Sequence, residues 1–209
     1  MYTKPATKWL SLVTTFILGQ PPSLSNTSAV ILAGGQGKRV GLRQKALLPY
    51  QGRPLLHWVL QRLTTQGVPI WLNVNSNAAE YEAYGLPQFS DQHQGFLGPL
   101  SGMQAAWNSI DSDWIVFVPC DNPNLPQDLI VRLMQAQSVN PAPLMVVQDG
   151  QRIQPLYLLM HRSMRRALDQ ALARSHLSAS RWIQENQHTL VDFSDQPNGF
   201  QNLNVFEAD

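Results

Sequence analysis

The sequence predicts an α/β fold with a mostly parallel sheet flanked by helices. Three observations carry this. Short apolar runs recur along the chain, at Ala29–Leu32, Ile70–Val74 (interrupted by Asn73), Trp114–Val118 and Leu144–Val147. Such runs read as strands covered on both faces rather than as half-exposed strands. Between them lie segments with apolar residues at helical spacing, so strands and helices alternate, as a parallel sheet requires. The first run then breaks into a loop holding Gly34, Gly35, Gly37 and Gly41 among Lys38, Arg39, Arg43 and Lys45.

That loop organises the chain. Glycines permit positive φ and close backbone approach, and successive N–H groups beside cations can converge on an anion. The spacing matches neither the G-x-G-x-x-G dinucleotide turn nor the Walker A loop, so a different kind of phosphate loop is expected. The bland alternative is a surface loop whose glycines serve turns.

Before it, residues 1–27 read as an N-terminal extension, poorly ordered or loosely docked. Trp9–Leu18 is apolar after Lys4 and Lys8. It resembles the start of a signal peptide but lacks a clean cleavage site, and it is too short to span a membrane. Residues 28–209 are expected to form one domain. At 209 residues and 44% hydrophobic the chain can bury a sizeable core. A formal net charge of +1 argues against a nucleic-acid binder. The single cysteine, Cys120, excludes an intrachain disulfide framework and makes a reducing, cytoplasmic compartment the default.

After the loop, Gln51-Gly52-Arg53-Pro54 reads as a turn, and Leu55, Leu56, Val59, Leu60 and Leu63 as the inner face of a helix ending at Gly67. The strand Ile70–Val74 carries Asn73 and Asn75 at its end, where α/β sheets bind ligands. Either asparagine could address a nucleoside or cap the next helix. Glu80–Tyr84 is a short helical piece, Gln88–Ser90 a short strand ending at Asp91, and Gly98-Pro99 a turn into a helix bearing Ala105, Ala106 and Trp107. Trp114–Val118 is the expected central strand. Asp121, just beyond it, lies on the same rim as the first loop, where a carboxylate can hold Mg²⁺ against phosphates or serve the turn before Pro123. A helix is predicted over Pro126–Ala136. Next come Leu144–Val147, an Asp149-Gly150 turn and Pro155–Leu159, an antiparallel pair if the turn is tight. Helices at Ser163–Arg174 and Ser178–Asn186 and a strand at Leu190–Phe193 complete the chain.

The rim features, in their order, resemble the molybdenum cofactor guanylyltransferases of MobA type, within the nucleotidyltransferase superfamily. The likeness runs through Leu32-Ala-Gly-Gly-Gln-Gly-Lys-Arg39-Val-Gly41-Leu-Arg-Gln-Lys45, Gly52-Arg-Pro-Leu55, Val74-Asn75, Gly98-Pro-Leu-Ser-Gly102, Pro119-Cys-Asp121-Asn-Pro123, Asp149-Gly150, Val191-Asp-Phe-Ser-Asp195 and Asn202-Leu-Asn204. It departs at Gln44, where the family usually has Asp, at Val40, at Gln154, and in Val205-Phe206-Glu207-Ala208 after the last motif.

The resemblance implies a three-layer, Rossmann-like nucleotidyltransferase fold. It implies transfer of GMP from GTP to molybdenum-molybdopterin, with Mg²⁺ as cofactor and pyrophosphate as leaving group. By the same resemblance, Leu32, Ala33, Gly34, Gly35, Lys45, Asn73, Asp91 and Asp121 would bind the nucleotide. Lys45 and Arg39 would neutralise phosphate charge in catalysis, Asp121 would hold the metal, and Asn202 and Asn204 would contact the pterin. A cytoplasmic monomer is expected, binding neither nucleic acid nor membrane, and meeting molybdopterin-delivering proteins and molybdoenzymes transiently. A cytidylyl or sugar-phosphate nucleotidyltransferase and a non-catalytic nucleotide-binding module stand as alternatives.

Overall fold

A computed structural model describes residues 18–35, 44–92 and 97–201. Its main sheet has seven strands in the order β5-β4-β1-β6-β8-β7-β9. These are β1 (Thr27–Leu32), β4 (Ile70–Asn73), β5 (Gln88–Phe89), β6 (Trp114–Pro119), β7 (Leu144–Gln148), β8 (Ile153–His161) and β9 (Thr189–Asp192). β2 (Pro49–Tyr50) and β3 (Arg53–Pro54) form a separate two-stranded ribbon. β1 pairs in parallel with β4 and β6, β4 with β5, and β7 with β9. β8 runs antiparallel to both of its neighbours, β6 and β7.

Five α-helices among the described residues cover the sheet: α1 (Leu55–Thr64), α2 (Pro99–Ser109), α3 (Leu129–Val139), α4 (Arg165–Ala173) and α5 (Ala179–Gln184). Strand alternation divides the core into two layers. Ile31, Leu72, Val116, Val118 and Leu159 face Leu56, Val59 and Leu63 of α1 and Leu129, Ile130 and Leu133 of α3. Val30, Ile115, Phe117, Leu158 and Met160 face Leu100, Met103 and Trp107 of α2, with Leu168 of α4 and Trp182 of α5. Because both faces are covered, β6 is buried at every residue, which explains its unbroken apolar run. The expected α/β, three-layer arrangement is therefore present.

Register sets up the rim. Leu32 pairs with both Asn73 and Pro119, and Asn73 pairs with Phe89. The carboxyl ends of β1, β4, β5 and β6 thus end level with one another, and the segments leaving these strands converge on a common edge.

Several boundaries differ from expectation for physical reasons. The predicted turn at Gln51-Gly52 is the tip of the β2–β3 ribbon, with both residues at positive φ (48° and 77°), as a tight right-twisted hairpin demands. β8 is longer than Pro155–Leu159, because pairing resumes on the far side of an irregularity. Val146 pairs with Leu158 but Val147 with Gln154, which loops out residues 155–157 from the β7 ladder, among them Pro155, a residue with no N–H to give it. α3 starts at Leu129 rather than Pro126, since Pro126 is held in the preceding turn against Gly199. The segment predicted as one helix from Ser163 opens as a 3₁₀ turn, Arg162–Met164, before α4. Part of the expected N-terminal extension is packed: Leu18 is buried in the core, and the Trp114 indole donates to the carbonyl of Gln20 at 3.1 Å.

Candidate active site

The chain leaves β1 at Leu32 and continues along the sheet edge, with the Ala33 N–H donating to the Asn73 carbonyl at 2.9 Å. Gly34 then passes where no side chain fits. A Cβ there would lie 2.4 Å from Asn75 Nδ2 and 2.9 Å from Asn73 Oδ1. The closeness is used: Asn75 Nδ2 donates to the Gly34 carbonyl at 3.0 Å, and Asn75 Oδ1 accepts from the Asp91 backbone N–H at 2.8 Å. Asn73, almost fully buried, donates from Nδ2 to Asp91 Oδ1 at 2.8 Å. Asn73 is thus not a helix cap. With Asn75 it joins the ends of β1, β4 and β5 into one polar corner.

The start of α2 closes the other side. Gly98 takes positive φ (81°), Pro99 opens the helix, and Gly102 lies where a Cβ would meet Asn73 Oδ1 at 2.5 Å. Between these walls is a cleft of ≈ 320 Å³ lined by Leu32, Gly34, Gly35, Asn73, Asn75, Asp91, Gly98, Pro99 and Leu156. Gly35 faces open space. Ala33 turns its methyl into the core and does not line the cleft.

Lys45 and Asp121 form a second cluster on this rim. They are far apart in sequence and make an ion pair, Lys45 Nζ to Asp121 Oδ2. Lys45 opens a 3₁₀ turn whose next residue, Ala46, is buried in the core, so its backbone is anchored. Asp121 comes just after the central strand and is 6% exposed. Its Oδ1 is buried with no hydrogen-bond partner among the described residues. A native carboxylate oxygen in that state requires an explanation, and a cation, when bound, would supply one. The carboxylate therefore does not serve as the cap of its own turn. Neighbouring Cys120 is inert here: burial, with Asp121 adding to it, pushes its thiol up to about 12.

The structure thus brings Leu32, Gly34, Gly35, Asn73 and Asp91 into one cleft, and Lys45 with Asp121 into a charged pair beside it. Neither member of the pair lines the cleft itself. Arg39, Asn202 and Asn204 lie outside the described residues. Sequence reasoning placed Asn75 at the strand end with two readings, addressing a nucleoside or capping the next helix; the structure uses it instead to hold Gly34 and Asp91, and its position was its only signal. Leu156 had none, since an apolar residue in a strand reads as core.

A family profile described as "MobA-like NTP transferase domain" matches residues 29–190. The chain belongs to the MobA-like NTP transferase family. The MobA-like assignment agrees with full-length relatives. The molybdenum cofactor guanylyltransferase of Photobacterium profundum is 41% identical over 186 residues, covering 89% of this chain and 95% of that protein. That of Shewanella putrefaciens is 37% identical over 179 residues, covering 86% and 92%. Among solved structures, molybdopterin-guanine dinucleotide biosynthesis protein A of Archaeoglobus fulgidus superposes with a TM-score of 0.72 at 19% identity, covering 87% of this chain and 93% of that one. A CMP:2-keto-3-deoxy-manno-octonic acid synthetase solved with CTP shares the fold at a TM-score of 0.59 and 16% identity, covering 80% and 89%. Among the described residues of this MobA-like chain, no helix is long and apolar enough to cross a membrane.

Proposed function

We propose that this chain transfers GMP from GTP to the terminal phosphate of molybdenum-molybdopterin, forming the molybdopterin guanine dinucleotide cofactor and releasing pyrophosphate. The observation that carries this reading is the meeting on one rim of a Gly34-walled cleft and the Lys45–Asp121 pair, whose carboxylate keeps one oxygen unpartnered among the described residues. The names of the relatives supply the base and the acceptor.

The cleft suits the nucleoside. Asp91, oriented by Asn73 and by Asn75, offers a carboxylate to the adjacent N–H donors of guanine. Gly35 leaves backbone exposed for close approach. In the reaction an acceptor phosphate oxygen attacks the α-phosphorus of GTP, a new P–O bond forms, and the bond to the β-phosphate breaks. Both partners are anions, so catalysis rests on positioning and charge neutralisation.

Lys45 releases Asp121 and moves onto the phosphate oxygens as charge builds there, with Arg39 as the second cation. Asp121 fits Mg²⁺, which takes one or two carboxylates and completes its shell with phosphate oxygens and water. When bound, the metal would screen the phosphates and stabilise the departing pyrophosphate. Asn202 and Asn204 remain the proposed pterin contacts. The reading keeps a cytoplasmic monomer that meets cofactor-delivering and cofactor-accepting proteins transiently.

Pyrophosphate release from GTP, CTP and ATP with Mg²⁺, with and without molybdenum-molybdopterin, tests the proposal. Release from GTP that depends on the pterin is expected. A preference for CTP would reassign the base, and binding of GTP without release would make the chain a nucleotide-binding module.

A further inference from the structure

Gln44 lies immediately before Lys45, and its side chain does not cap the 3₁₀ turn that Lys45 opens. Both ends of its amide are instead used across the fold. Nε2 donates to Ser76 Oγ at 2.7 Å, and Oε1 accepts from the hydroxyl of Tyr81 at 3.3 Å. Tyr81 is a fixed post: it is fully buried, in the core layer that also holds Cys120 and Ala46. Burial foremost, with Cys120 and Glu80 adding to it, raises its phenol, so the hydroxyl keeps the proton that it donates to Gln44.

Ser76 adjoins Asn75, which holds the Gly34 carbonyl. Two consecutive residues after β4 therefore tie down both described flanks of segment 36–43: Asn75 holds Gly34, and Ser76 holds Gln44. Ala46, in the core, fixes the backbone on the far side of Lys45. Lys45 is thus held between two anchors, one apolar and one polar.

We propose that Gln44 is a positioning residue for Lys45, a strut from Tyr81 and Ser76 that fixes the lysine's backbone so that its ammonium can serve first Asp121 and then the phosphates. This deepens the proposed function and rests on it for the second half of that role. Both ends of the amide are used, since Tyr81 donates to its oxygen while Ser76 accepts from its nitrogen. A neutral amide also performs the task without placing a second carboxylate beside Lys45 to compete for its charge.

Two measurements test the strut. In the first, GTP binding and pyrophosphate release are measured for Gln44→Ala, Tyr81→Phe and the double variant. Gln44→Ala is expected to lower kcat about tenfold, the scale of one or two hydrogen bonds lost from a positioned group, with GTP affinity changed less than about threefold. Tyr81 acts through Gln44, so the double variant should be no worse than Gln44→Ala alone. Gln44→Glu keeps the acceptor for Tyr81 and lets Ser76 turn to donate, but sets a second carboxylate beside Lys45, so it should recover kcat only in part, to between the Gln44→Ala and wild-type values.

The second measurement needs no turnover. Lysine acylation rates in the nucleotide-free protein, read by mass spectrometry, should show Lys45 labelling at least about threefold faster in Gln44→Ala as its hold beside Asp121 loosens, with the chain's other lysines unchanged. Unchanged Lys45 labelling, a rise in KM at constant kcat, or additive losses in the double variant would each overturn the proposal. Absence of pyrophosphate release by the wild-type protein would instead overturn the proposed function, and Lys45 labelling would still decide the strut.

Discussion

Replacing Gly34 by alanine should damage the protein before any ligand is added, whereas the same change at Gly35 should not. At Gly34 the new methyl would lie 2.4 Å from Asn75 Nδ2. Relief requires the amide to retreat by about 1 Å, the gap between 2.4 Å and the 3.4 Å at which ordinary contact begins. That retreat breaks the 3.0 Å bond from Asn75 to the Gly34 carbonyl and strains the 2.8 Å bond from the Asp91 N–H to Asn75. At about 1 kcal/mol net for each hydrogen bond, the loss is about 2 kcal/mol. In a chain of this size that lowers the melting temperature by about 4–8 °C. Asp91 also loses its anchor, so GTP affinity should fall at least about tenfold, the equivalent of about 1.4 kcal/mol. A Cβ on Gly35 meets nothing within 4 Å, so Gly35→Ala should stay within about 0.5 kcal/mol of wild type in stability while its methyl intrudes on the cleft and weakens GTP binding. Thermal unfolding and a GTP titration on both variants make the comparison. A Gly34→Ala protein that melts with wild type, or a Gly35→Ala protein destabilised as much, would refute the account of the corner.

The same geometry yields other tests. On the proposed function, Lys45→Ala should lower turnover about 10²-fold, the scale of losing one transition-state charge donor, and a loss of GTP affinity at unchanged turnover would reassign it to ground-state binding. Asp121→Ala should abolish Mg²⁺-dependent pyrophosphate release while GTP still occupies the cleft, and near-normal transfer would remove Asp121 from the metal. Acidification should destabilise the fold through His161. Burial, against the weaker opposing pull of Asp113, lowers its pKa, so the unfolded chain binds the proton first. The stability His161 contributes is therefore complete above its ordinary value near 6.5 and is lost as pH falls below it. His161→Asn should flatten that part of the stability–pH curve in urea unfolding, and an unchanged slope would assign the acid sensitivity elsewhere.

Much of the site was legible because its parts are local. Glycines after a buried strand, a strand-end Asn and a strand-end Asp each announce themselves within a few residues, and register then brings Leu32, Asn73 and Pro119 level. The parts that escaped depend on partners distant in the chain. Asn75 offered only a choice between addressing a nucleoside and capping a helix, and Gln44 only a departure from the family pattern; their bonds to Gly34, Asp91, Ser76 and Tyr81 show what they hold. The extent of β8 escaped because a proline inside a strand argues locally against it, while the looped-out residues that accommodate Pro155 exist only in the pairing with β7.

By itself, then, the sequence determined the alternation of strands and helices and the rim where the glycine loop and the strand-end polar residues meet, because apolar periodicity and loop composition are properties of short stretches, while the order of the rim motifs carried the resemblance to the family. Tertiary structure alone decided that Asn73 orients Asp91 rather than capping a helix, that Lys45 rests on Asp121 with one carboxylate oxygen unpartnered among the described residues, and that Gly34 is required by two asparagines rather than by its own dihedral angles. Hydrogen bonds and steric limits between segments tens of residues apart are set by strand register, which no single stretch of the chain encodes.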